Sequence, residues 1–556
     1  MSNSIRLIFS FLSALLLFSN ENSCAQSVDF LWAKTAPGPE SLDFAKSVCT
    51  DSQGNIVVAG FFTDTIIFDT DTLINHSTQW DAFLVKYDPL GNVLWARGAG
   101  GSEHDWAESV CVDSLDNIYI TGSFQSPQAF FENDTLQNVG TWIYADFFLA
   151  KYSAGGDLLW AKSAGSNSIE AGLCVTSDGI GGVYVSGEFA GSTLIFDGDT
   201  LFNYGDRDVF VAKYDSIGNV LWARSAGSFS EDRGLGIDCD ISGNVYVTGW
   251  MDGVTADFGD TAFACSVDFF LAKYDTQGSF VWVRSAGGTQ DDRGESVCVD
   301  PNGNILVTGL FQSPQVVFGN DTIINSSFAR DALVVKYDSL GNVIWARGLG
   351  GPGMDYGESV TSDLFGNVYV TGPFGSASLV FGTNFLTNIN PGSDDCFIVK
   401  FDPSGAPIWA GSAGGPSYDN SYSVTTDSQG NVVICGLFSD STFQVGSIPL
   451  VGQASSYNIF VAKMDKSTMV NEPSHYPNKV AFYPNPFSNN AILEIKDYKN
   501  DNSVLYLFDI AGREIFKKQI TNSKTEIQKG NLSPGMYFYK VLSQRNLIDS
   551  GKIIIQ

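Results

Sequence analysis

The side chains best suited to chemistry in this sequence are carboxylates. Six aspartates, Asp43, Asp105, Asp232, Asp292, Asp355 and Asp419, recur five residues before the central valine or isoleucine of a short apolar run. One copy has Ser168 at this spacing, with Glu170 nearby. An acidic ring of this kind could hold cations or basic groups, calcium being the metal that oxygen donors suit. The same aspartates could equally cap turns by accepting backbone N–H bonds. The spacing is compatible with both, so the metal is left unassigned.

Enzyme chemistry has little to work with. Histidine is confined to His76, His104 and His475, and there is no Gly-x-Ser-x-Gly elbow, His-Glu-x-x-His motif or phosphate loop. No catalytic residue is assigned. Asp-x-x-Gly-Asn recurs, as at Asp51–Asn55, Asp300–Asn304 and Asp427–Asn431, but without the Asp-x-Asp-x-Asp-Gly spacing of a calcium loop. It reads as a turn that Asp opens and Gly closes.

The elements that must position these residues repeat. Trp32, Trp95, Trp160, Trp222, Trp282, Trp345 and Trp409 follow one another at steps of 63, 65, 62, 60, 63 and 64 residues. Such a period means stacked copies of one structural unit. The copy from Asp292 reads as four strands: Ser296–Asp300, Ile305–Phe311, Asp331–Asp338 and Val343–Arg347. β-Branched and aromatic residues fill each run, and no helical period is sustained. A link of about 19 residues joins the second strand to the third. Four antiparallel strands per copy describe a propeller blade, and seven first strands can be counted. The seventh copy lacks a tryptophan strand, whereas the chain opens with an orphan one, Phe30–Lys34. The two remnants are expected to complete one blade and seal the ring.

Asn244-Val-Tyr-Val-Thr-Gly249, Asp208-x-Phe-x-Ala-Lys-Tyr-Asp215 and the Trp-Ala-Arg-x-Ala-Gly strand resemble the β-propeller repeats abbreviated SBBP. The resemblance covers roughly residues 28–466 and implies a fold rather than an activity. The last segment resembles the C-terminal sorting domain of the type IX secretion system. Its matching residues include Tyr483-Pro484-Asn485-Pro486-Phe487, Gly535, Tyr537 and Gly551-Lys552. That likeness implies handling by the type IX machinery and delivery to the outer-membrane surface of a Gram-negative bacterium, or release from it.

The expected organisation is all-β: an export signal at 1–25, a seven-bladed propeller at 26–466, a linker at 467–478 and a small β-sandwich at 479–556. Arg6, the apolar run Leu7–Phe18 and the small residues Ser23-Cys24-Ala25 carry the signal reading. After Phe18 no apolar run approaches the roughly 20 residues of a transmembrane span. Residues 479–556 hold 11 Lys+Arg against 7 Asp+Glu, so the net charge of −30 is concentrated, at about −34, on residues 26–478. Such a surface disfavours nucleic acid as a partner. Cys49, Cys111, Cys174 and Cys298 occupy equivalent positions of different copies, too far apart for disulfides, and read as small core residues.

The function expected is that of an exported, monomeric binding or scaffold module with an extracellular protein or glycan ligand and no cofactor beyond a conceivable calcium. Loops on the long-link face, where the acidic ring lies, are the expected binding face. The alternative is a glycosidase or lyase on the same frame, using carboxylates from several copies.

Overall fold

Runs rich in valine, isoleucine, phenylalanine and tyrosine, broken by Asp-x-x-Gly-Asn turns, fold as antiparallel sheet throughout. The computed structural model describes residues 30–466, apart from 37, 39–41, 76, 141–142, 254, 260–261, 265–266, 326, 382–383, 440 and 454–455. It also describes 480–483, 487–495, 503–508, 514–530, 532–533, 535–543 and 546–555. The export segment, the linker, His76, His475 and Pro484–Pro486 lie outside the described residues. The chain divides into two compact units, Met1–Met469 and Val470–Gln556.

In the first unit one pattern recurs. Asp292–Val299, Ile305–Phe311, Asp331–Tyr337 and Val343–Leu349 pair in chain order, all antiparallel. Five four-stranded sheets are built this way, and a sixth, Ser359–Ser362, Val368–Phe374, Asp395–Phe401 and Pro407–Gly414, is extended at its last strand by the hairpin of Thr442–Val445 with Ile448–Val451. A further sheet takes three strands, Asp419–Thr426, Val432–Phe438 and Asn458–Met464, from the end of the array. Its fourth is Phe30–Thr35, with Trp32 opposite Lys463 and Ala33 opposite Ala462.

First strands of successive sheets are tied by one repeated bond. A backbone N–H donates to a side chain of the preceding sheet: Val110 to Ser47 Oγ (3.1 Å), Val360 to Ser296 Oγ (3.3 Å) and Val424 to Ser359 Oγ (3.2 Å). The same bond joins Val48 of the first sheet to Ser423 Oγ of the last (3.2 Å). Apolar cores lie between sheets; Val57 and Ala59 of one pack with Ile118, Ile120 and Phe148 of the next. The repeated tryptophan is part of this contact. The Trp32 indole donates to Pro89 O and that of Trp222 to Thr276 O, each in the next sheet's turn. Gly278 of that turn has φ +75° and no room for a side chain, since a Cβ would stand 2.6 Å from the Trp222 ring.

Two features go beyond the sequence expectation. The link between second and third strands contains a hairpin, as in Gln315–Phe318 with Asp321–Ile324, turning at Gly319 with φ +59°. Each long first strand also carries a bulge: Ala45 faces Gly60 and Ser47 faces Ala59, leaving Lys46 unpaired. The facing glycine makes this possible. A Cβ on Gly249 would stand 1.8 Å from the carbonyl oxygen of Arg233, which explains the repeated Thr-Gly of the second strand.

The second unit has two sheets, Val480–Tyr483 with Asn490–Ile495 and Lys524–Gln528, and Glu514–Ile520 with Ser503–Phe508, Gly535–Ser543 and Asn546–Ile555. Phe487, Leu493, Leu505, Ile527, Val541 and Ile553 fill its core. The described cysteines are free thiols.

Candidate functional site

The acidic ring is buried. Asp43, Asp232, Asp292, Asp355 and Asp419 are fully covered and Asp105 is nearly so. Their carboxylates accept local bonds. Asp292 takes the N–H groups of Gly288 (2.9 Å), Gln312 (3.0 Å) and Ser313 (3.1 Å) and the Ser313 hydroxyl (2.6 Å). Asp105 and Asp355 take the equivalent serine hydroxyls of Ser126 and Ser376, each at 2.6 Å. Asp43 accepts from Thr63 N, Asp419 from Gly415 N, and Asp232 from Ser228. In the third copy the residue in this slot is Glu170, not Ser168: the first strand is Glu170–Ser177, and Glu170 accepts from Ser166 N and Oγ. The extra reach of glutamate supplies the cap that the spacing lacks at Ser168.

A second carboxylate stands beside each of these, at the start of the preceding third strand: Asp81, Asp146, Asp208, Asp268, Asp331 and Asp395, with Asn458 in the last copy. Backbone bonds lock the two together, as from Asp105 N to Trp80 O (2.7 Å) and Asp355 N to Arg330 O (2.7 Å). Burial pushes the carboxyls of Asp105, Asp146, Asp208 and Asp331 up to about 7, and those of Asp232, Asp355 and Asp395 up to about 6. The facing carboxylate adds to the effect at Asp146, Asp208 and Asp331. No group of three or more His, Cys, Asp or Glu among the described residues comes together so as to hold a metal ion.

Beside the acidic slots the copies stop resembling one another. The next residue of each first strand is Phe44, Trp106, Ala171, Arg233, Arg293, Tyr356 or Asn420. Those of the first two copies join an aromatic cluster. Phe44 stacks on Phe61 (centroids 4.6 Å apart) and meets Tyr457 (5.4 Å), while Trp80 meets Phe61 (5.2 Å), His104 (4.6 Å) and Trp106 (6.4 Å). Tyr418 extends the cluster from Tyr457.

The arginines form a second cluster around carboxylates, the outermost of which, Glu231, is 3.9 Å from Arg207. Glu188 lies between Arg207 and Arg233, and Asp291 between Arg293 and Arg330, at 2.6–2.8 Å. Arg233 and Arg293 both lie over Trp250, their guanidinium carbons 5.9 and 4.6 Å from its ring centroid. Trp250 Nε1 is buried with no hydrogen-bond partner among the described residues. These residues escaped sequence reading because they differ from copy to copy. The signal that finds them is that difference, at a position flanked on both sides by repeated ones.

Deeper along the first strands, the bulge residues make a third layer. Lys46 Nζ is 3.2 Å from Glu108 and 4.5 Å from the Tyr422 ring centre. Burial and the nearby Glu358 push the Glu295 carboxyl up to about 8. At the other end, a cavity of about 470 Å³ opens among the turns at Asp240, Asp300, Asp363 and Asp427. Those aspartates are committed: Asp300 accepts from Asn302 N and Asn304 N and pairs with Lys336 Nζ at 2.8 Å. This cavity therefore offers a ligand little free chemistry, and the arginine and aromatic clusters are the better site.

In the second unit Tyr483 is exposed and donates to Glu494 (2.7 Å). Phe487 is buried, and the buried Tyr537 donates to Ser533 O (2.7 Å). Gly535 pairs with Ile555, Gly551 with Tyr539 and Lys552 with Phe538 in the last two strands. Among the described residues no helix is long and apolar enough to cross a membrane.

Residues 481–556 match the family described as the secretion system C-terminal sorting domain, and residues 344–372 match the β-propeller repeat family. The chain is 26% identical over 545 residues to an uncharacterized WD repeat-containing protein, L264, of Acanthamoeba polyphaga mimivirus, covering 81% of this chain and 39% of that protein. It is 32% identical over 288 residues to the regulatory protein FlaEY of Caulobacter vibrioides, covering 48% of this chain and 29% of that one. It thus spans well under two thirds of either relative. Similar solved structures include Sqt1 from Chaetomium thermophilum, with 11% identity, a TM-score of 0.35, and 75% and 83% of the two chains covered. PorZ, an essential surface component of the type-IX secretion system of Porphyromonas gingivalis, is 10% identical with a TM-score of 0.15, over 94% of this chain and 100% of that one. The chain carries a β-propeller repeat and, at residues 481–556, a type IX sorting domain.

Proposed function

We propose that the first unit is a closed seven-bladed propeller, sealed by Phe30–Thr35, that serves as a binding module on the bacterial surface or after release from it. The pairing of Phe30–Thr35 with Asn458–Met464 supports closure, and the sorting domain supports the address. One observation carries the binding role. Frame positions are repeated from copy to copy, whereas the neighbouring rim position runs through phenylalanine, tryptophan, alanine, arginine, tyrosine and asparagine. A rim that only held the frame together would repeat as the frame does. One that meets an asymmetric ligand must differ around its circumference, with rigid strands holding the variable side chains.

The test is a panel of neutral and acidic glycans and extracellular proteins, offered to the purified full-length chain and assayed for binding and for turnover. Binding without turnover that is lost in Trp106→Ala or Arg293→Gln supports the module. Turnover would favour the glycosidase or lyase alternative. Binding that survives both substitutions would assign the wrong face.

A further inference from the structure

We infer that the rim takes an anionic polysaccharide, its acid groups bound by Arg233 and Arg293 and its sugar rings lying on the aromatic side. The inference rests on the rim being the binding face, as proposed above. In a chain of net charge −30, four guanidiniums gather around three carboxylates, Glu188, Asp291 and the more distant Glu231, at one end of the first strands. The cluster therefore carries an excess of one positive charge.

Solvent meets the guanidiniums together with Glu231, whose side chain keeps 46% of its exposure, while the two inner carboxylates are largely covered. The arginine side chains keep 23–34% of their exposure, while Glu188 keeps 7% and Asp291 14%. Arg233 and Arg293 face these carboxylates through Nε. Contact through Nε leaves the Nη edge of each planar fork as the part that can meet a carboxylate or sulfate. Both guanidiniums also share the Trp250 ring, so two like charges are held close together. An anion bridging them would relieve that repulsion.

The aromatic side supplies the remainder of the recognition. The half-buried Trp80 and Trp106 and the exposed Tyr418 belong to one cluster across the last, first and second copies. Aromatic faces suit the C–H faces of pyranose rings, which pack flat. A peptide anchor would instead fill a pocket. Charge on one side and aromatic surface on the other, its rings set at steep angles to one another, fit a chain that has both acid groups and apolar ring faces in every unit.

The experiment is calorimetry of the full-length protein at low ionic strength with a polyuronate, a sulfated polysaccharide, a neutral polysaccharide and polyglutamate. The expected result is binding to one or both anionic polysaccharides, weakened by salt. Arg233→Gln and Arg293→Gln should each lower affinity about tenfold or more, with melting temperature unchanged. Arg293→Lys, which keeps the charge but loses the fork, should fall between, and Arg347→Gln on an outer strand should bind as the parent does. The polyuronate and sulfated arms tell which acid group is read. Equal binding of polyglutamate or of the neutral polysaccharide would overturn the inference, as would an equal loss in Arg347→Gln. Failure of every polyanion to bind would also overturn it, while binding of a neutral glycan or protein at the same rim would leave the module reading intact.

Discussion

Asp81 and Asp105 converge on a single backbone carbon: a methyl group on Gly100 would stand 2.2 Å from Oδ1 of the first and 3.1 Å from Oδ2 of the second. The equivalent glycines, Gly165, Gly227, Gly287, Gly350 and Gly414, press on Asp146, Asp208, Asp268, Asp331 and Asp395 in the same way. In the last copy Asn458, an uncharged isostere, replaces the aspartate and donates through Nδ2 to Gln453 O and Ser456 O, both at 3.2 Å. A protonated carboxyl would fill the slot in a similar manner.

These junctions should make the propeller acid-loving. Asp105, Asp146, Asp208 and Asp331 titrate near 7 when folded and near 3.9 when unfolded. Their stabilising contribution is complete below about pH 4 and drains away as pH rises through 7. Thermal melts should show a higher melting temperature at pH 5 than at pH 8, each junction losing on the order of 2 kcal/mol. Asp208→Asn should flatten the profile. A parent whose melting temperature does not change over this range would contradict the account.

The opposite slope should appear in stronger acid. Burial opposes the charge on Asp51, Asp300 and Asp427, but Lys86, Lys336 and Lys463 and the turn asparagines outweigh it and hold these carboxyls below the usual range. Their contribution is present above about pH 3.9 and is lost as pH falls below it. Lys336→Met would strand Asp300 in a buried site and should cost about 3–5 kcal/mol at neutral pH. Denaturant unfolding measures it, and a loss under 1 kcal/mol would show the pair to be dispensable.

Gly249→Ala tests the bulge. With the Arg233 carbonyl 1.8 Å from the new methyl group, the second strand cannot keep its register. The expected cost is about 3 kcal/mol or more. Gly98→Ala, in another strand and with only the Ala82 carbonyl at 3.9 Å and Leu73 at 4.0 Å from the new methyl group, controls for loss of a glycine without a clash.

Removing residues 26–36 should bare the edge of Asn458–Met464 along its whole length. Light scattering should detect aggregation, or calorimetry a large fall in melting temperature. A monomer that melts like the parent would refute closure.

Removing residues 479–556 should leave the first unit folded but retained in the periplasm, as cell fractionation would show. Normal surface delivery of the shortened chain would count against the sorting role.

The sequence spoke most clearly where the copies agree. Trp32 with no preceding first strand, and Asn458–Met464 with no fourth, pointed to their pairing because each copy demands the same four strands. The Asp-x-x-Gly-Asn turns were readable because their bonds are local, as from Asn55 N to Asp51 Oδ1 at 2.9 Å. The hairpin at Gln315–Phe318 escaped because its strands have only four residues each, although Gly319-Asn320 was a turn signal. Arg233 and Trp250 escaped for another reason. They meet across two strands, and Arg293 reaches them from the next sheet, so no local pattern records the contact.

The strand Phe30–Thr35 is synthesised at the start of the array, and its partner Asn458–Met464 only about 430 residues later. Ordering so distant a pairing costs entropy that nearer contacts do not, which places it late in folding. Until then the array has two raw ends and no lock. A chain cut short before Asn458–Met464 would lack the partner strand and keep an unpaired edge on Phe30–Thr35. In the proposed closed ring, completion of the array therefore waits on its own first strand.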